Sequence, residues 1–136
     1  TRVEFTDKQS VEQRCGEASP PFSDAERAKT VPEGMRFAIT ITDDEIDAWL
    51  DSRDYIGAKR QTARIFAVAM RDYGVIITET SCHGLSLQTD GLVNPTTAEL
   101  WAKAGITKNG SRNPSGDLLT GLITEERLVV VNPPGA

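Results

Sequence analysis

The sequence has one histidine, two cysteines and two tryptophans among its 136 residues. That scarcity excludes several kinds of chemistry. A single histidine with Cys15 and Cys82, which lack any Cys-x-x-Cys spacing, cannot by itself furnish a closed zinc site. No Asp/Asn/Gly calcium loop occurs, so no metal is expected. The glycine-rich dinucleotide and phosphate-binding loops are missing, as is the Gly-x-Ser-x-Gly elbow of many serine hydrolases, so no cofactor is expected either. No apolar run approaches the ~20 residues of a membrane helix, and the polar start TRVEFTDKQS carries no leader pattern. Basic charge is the minority, with 15 Lys and Arg against 20 Asp and Glu and a formal net charge of −5. Neither nucleic acid nor a membrane is an expected partner.

What is present suits one domain, or the C-terminal portion of a larger one, over residues 1–136. The 38% hydrophobic content is low for a free-standing core but well above that of disordered chains. The chain starts at Thr1 rather than Met, which leads us to expect a processed product, a trimmed form, or one chain of a nicked protein. Acids crowd one segment (Asp43, Asp44, Glu45, Asp47, Asp51, Asp54), and Lys59, Arg60, Arg64 and Arg71 follow. Two helices with mutually attracting solvated faces account for this more simply than two binding patches.

Residues 1–6 alternate as in a half-buried strand, with Val3 and Phe5 on one side. Residues 7–30 hold few large apolar side chains and read as a surface excursion, and Val31 to Gly34 (VPEG) read as a turn. MRFAITI alternates cleanly and predicts a strand. Thr42 and Glu45 then form a capping-box pattern opening a short helix, with Ile46, Trp49 and Leu50 on its inner face. RQTARIFAVAMRDYG predicts the strongest helix, with Ile65, Phe66, Ala69, Met70 and Tyr73 as its apolar stripe and Gly74 as its left-handed terminator. VIITETS predicts a strand, joined in a hairpin to LSLQTD. A third helix, NPTTAELWAKAG, ends at Gly105, and Ile106 is placed to fold back on its last turn. TKNGSRNPSGD reads as loop, and RLVVVNPP as a strand stopped by prolines. The order predicts an α+β fold, a mostly antiparallel sheet with about three short helices. The apolar faces exceed what so short a chain can enclose, so the sheet is expected to be completed by an upstream or partner chain.

The residues with chemical potential cluster in ETSCHGLSLQTD. Glu79, His83 and Asp90 offer acid–base capacity near neutral pH, and Glu79 extends an apolar row that would raise its pKa. The alternative is a solvated loop histidine flanked by two strand-edge acids. Thr1 is a second catalytic candidate, because an N-terminal threonine can attack with its own amine as base. Trp49, Trp101, Tyr55 and Tyr73 are candidate sugar-stacking rings, with Trp49 and Tyr55 as the substrate-binding pair, although both tryptophans also fit helical core stripes. Cys15 and Cys82 are a candidate disulfide, which would stabilise by roughly 4 kcal/mol if the geometry allowed. Free buried thiols, or bridges to another chain, are the alternatives. Asn109–Gly110–Ser111 is formally a glycosylation acceptor, significant only in a eukaryotic secretory host, and otherwise a tight-turn signal.

The stretches RFAITITDDEIDAWLDS, ARIFAVAMRDYGVIITETSCHG and LLTGLITEERLVVVNPP carry a resemblance. Pro32, Gly34, Arg36 and Phe37 match a Pro-x-Gly-x-Arg-apolar strand entry, and Ala67, Ala69, Tyr73 and Gly74 match an Ala-x-Ala-x-x-x-Tyr-Gly helix end. Over roughly residues 18–133 the chain resembles the C-terminal half of secreted bacterial proteins with a β-rich, jelly-roll-like core, a group loosely associated with polysaccharides. The β-rich N-terminal half of that group is missing from this chain. The resemblance implies a secreted, carbohydrate-directed protein; joined to the residues above, it leads us to expect a polysaccharide hydrolase with Glu79 and Asp90 as acid/base candidates and His83 assisting or binding substrate. Two other expectations stand beside it: an autoprocessed hydrolase with Thr1 as nucleophile, and a non-catalytic binding or assembly module.

Overall fold

The computed structural model describes residues 3–4, 25, 31–32, 34–78, 95–107 and 114–131. Among these the chain is mixed α/β, with five short strands and four helices. Strands β1 (Val3–Glu4) and β2 (Val31–Pro32) pair in parallel. The main sheet has β3 (Arg36–Ile39) at its centre, flanked on both sides by antiparallel neighbours, β4 (Val75–Ile76) and β5 (Leu128–Val131). Helices α1 (Asp43–Ser52), α2 (Gly57–Asp72), α3 (Pro95–Lys103) and α4 (Pro114–Leu118) complete the described chain.

β3 forms where the sequence alternates. Phe37 and Ile39 are buried, while Arg36 is exposed and Ala38 half-buried. Thr42, three residues beyond the end of β3, caps α1. Its N–H donates to Glu45 Oε2 at 2.8 Å, and the Glu45 N–H donates back to Thr42 Oγ1 at 3.3 Å, closing the predicted capping box. Ile46, Trp49 and Leu50 are buried as the spacing requires. At the end of α1 the Asp54 N–H reaches Asp51 O (3.0 Å) and the Tyr55 N–H reaches Leu50 O (3.2 Å), a Schellman closure. It puts Asp54 at φ 52°, the one non-glycine residue with positive φ among the described residues.

α2 runs back along α1, and their charged faces meet as expected. Asp47 pairs with Arg60 (3.3 Å) and with Arg64, Asp51 with Arg60 (2.6 Å), and Asp43 with Arg71 (2.9 Å). The apolar stripe of α2 differs from the expected one. Ala63, Ala67 and Met70 are buried, whereas Ile65 is 60% and Tyr73 74% exposed. The helix is held on three sides. Its arginines face α1, Ala63, Ala67 and Met70 face the core, and Thr62 and Phe66 face α3. The two alanines let it approach closely, and Ile65 is left on the remaining side.

Gly74 ends α2 at φ 74°, as expected. A Cβ there would lie 2.3 Å from Phe37 O, so only glycine lets the chain turn from α2 into β4 against the central strand. α3 closes as predicted: the Ile106 N–H donates to Trp101 O (2.9 Å) and the Gly105 N–H to Ala102 O (3.0 Å), with Ile106 buried. The α3 end docks on α2 through Thr62 Oγ1 donating to Ala104 O (2.6 Å) and through the stacked Phe66 and Trp101 rings, 6.4 Å apart.

Three further expectations are corrected. Val31–Pro32 is not part of a simple turn but pairs with β1, although Gly34 does take a positive φ of 83°. Part of the expected loop forms helix α4, whose last residue Leu118 is buried along with Leu119 and Leu122 beyond it. The described helices therefore number four rather than about three. The hairpin partner of β4, LSLQTD, lies outside the described residues.

Candidate functional site

One set of exposed apolar side chains stands on the outer face of the main sheet. Residues opposite each other across antiparallel strands share a face. Phe37 pairs with Val75 and Val130, and Ile39 with Leu128; on this face Ile39, Val75 and Leu128 join the core cluster with Ile46, Leu50, Ala67 and Met70, whereas Val130, near the end of β5, is 54% exposed. The other face comprises Arg36 opposite Ile76 and Val131, and Ala38 opposite Val129. Ile76 is 53% and Val129 43% exposed. Arg36 is exposed beside them, and Ala38 and Val131 are half-buried. The backbone continues the β3–β4 pairing beyond Ile76, because the Ile77 N–H donates to Met35 O at 3.0 Å and the Gly34 N–H to Ile77 O at 2.8 Å. On the other side the Thr40 N–H donates to Arg127 O at 2.7 Å. This outer face is thus an apolar strip around one guanidinium, fixed by hydrogen bonds on both sides of β3.

The rings expected to stack on sugars are elsewhere. Trp49 and Tyr55 are 6% and 5% exposed, edge to face with centroids 6.1 Å apart. The Trp49 indole N–H donates to Thr120 O (3.1 Å), and the Tyr55 hydroxyl lies within hydrogen-bond reach of Leu118 O (3.1 Å). The Lys59 ammonium sits 4.4 Å from the Tyr55 ring centre, adding a cation–π contact. A sugar needs an open ring face, and these two rings instead join α1 to the turn after α4. Their buried polar atoms are satisfied by backbone carbonyls, and for Trp49 this is the core role its helical spacing also allowed.

The catalytic candidates Thr1, Glu79, His83 and Asp90, and the cysteines Cys15 and Cys82, lie outside the described residues, as does Asn109–Gly110–Ser111. Among the described residues no group of three His, Cys, Asp or Glu side chains is placed to hold a metal ion, and no helix is long and apolar enough to cross a membrane. Their perturbed acids are held by local partners. The Thr42 backbone N–H, followed by its hydroxyl, keeps the Glu45 carboxyl below the usual range. The Arg71 guanidinium does the same for Asp72, and its bonds to Asp72 and Asp43 raise its own pKa. These are ties within and between helices, not a reaction centre.

Reading the sequence for alternation missed Ile76 and Val129 as surface residues. The signal was there in the failure of alternation, because VII at the start of β4 and LVVV in β5 are apolar at consecutive positions and must put apolar side chains on both faces. Comparison with models of known families, with characterised proteins and with solved structures gives no match in any of the three.

Proposed function

We propose that the chain is a binding or assembly module whose three-stranded sheet is one layer of a larger β-rich, jelly-roll-like core, completed by another polypeptide. The exposure of Ile76 and Val129 on the sheet face turned away from the core cluster carries this reading. Apolar side chains left exposed on a sheet face give a partner apolar surface to bury. A second layer of strands would cover the strip face to face, about 10 Å away, as in sandwich folds. Arg36 in the strip favours a partner that brings an acid or carbonyl oxygens to it.

Hydrophobic-dye binding and sedimentation of the isolated chain test the reading. The double variant Ile76→Lys/Val129→Lys is expected to keep the circular dichroism spectrum and to lose more dye fluorescence than Ile65→Lys/Leu100→Lys, which changes exposed helix positions. A monomeric wild type that binds no dye and is indifferent to the sheet substitutions overturns it.

A secreted, carbohydrate-directed hydrolase is the second reading. It rests on the sequence, in which Glu79, His83 and Asp90 fall within the single segment ETSCHGLSLQTD. Polysaccharide digestion by Glu79→Gln and His83→Ala variants tests it, and undiminished activity in both removes these residues as catalytic groups. The Thr1 nucleophile is tested by intact-mass analysis of the full-length protein: a cut that persists in Thr1→Ala rules it out.

A further inference from the structure

We draw no further inference here: the strongest candidate beyond the sheet face, the helix-layer surface patch on which Ile65 of α2 and Leu100 of α3 stand exposed, carries nothing because nothing in the structure shows what covers it.

Discussion

Gly74 shows how a single residue can set the geometry of the fold. It combines a left-handed φ with contact against the backbone of β3, so both its conformation and its missing side chain are needed. Gly74→Ala is therefore expected to destabilise by roughly 2–4 kcal/mol, from strain at positive φ together with overpacking against Phe37 O. Urea unfolding measures it, and a loss under 1 kcal/mol would mean that α2 and β4 can shift apart cheaply. Gly74 and Gly105 were legible in the sequence because each follows a helix-forming segment. Asp54 was not, although it has the same left-handed geometry, because an aspartate among other aspartates gives no terminator signal. The rings of Trp49 and Tyr55 were ambiguous for a related reason. A side chain that is apolar with one polar atom suits a core as well as a sugar site, and only the carbonyls of Leu118 and Thr120 decide between them.

At the scale of elements, α1 was the most legible. Thr42 and Glu45 lie three apart ahead of the apolar spacing, and the box they form is local chemistry that needs no tertiary partner. Its pH dependence has a definite sign. The Glu45 pKa is depressed in the folded state, first by the Thr42 backbone N–H and next by the Thr42 hydroxyl, so its contribution is present above the unfolded glutamate pKa and is lost as pH falls through the lower folded value. Glu45→Gln is expected to be less stable than wild type near neutral pH and to converge on it in acid. Thermal unfolding from pH 7 down to 3 checks this, and a constant gap would show that the charge is not what matters. The antiparallel pairing of α1 and α2 gives a second prediction. Asp47 accepts from both Arg60 and Arg64, but all three are partly solvated. Asp47→Ala is therefore expected to cost only about 0.5–1 kcal/mol, less in 1 M salt. A salt-independent loss of several kcal/mol would mean that the ion pairs are effectively buried.

For the whole molecule, the core runs from the inner sheet face through α1 and α2 to the leucines after α4. Leu122 is fully buried, and its carbonyl accepts from Arg127 Nη1 at 3.2 Å on the approach to β5. Leu122→Ala is expected to cost about 2–5 kcal/mol, whereas Ile65→Ala should change stability by less than about 0.5 kcal/mol. Chemical denaturation of the pair measures which apolar residues face inward. Comparable losses at both sites would restore the stripe that the sequence suggests.

The sequence by itself determined the local features: the alternating strand at Arg36–Ile39, the capping box, the Gly74 and Gly105 terminators, and the attraction between an acidic and a basic helix. Each is set by neighbours a few positions apart. Tertiary structure decided the features that depend on distant segments: the inward face of α2, the helix in Pro114–Leu118, the burial of Trp49 and Tyr55, and the outward turn of Ile76 and Val129. Burial is a property of what packs alongside, and a run such as LVVV fits either side of a sheet until β3 fixes its register.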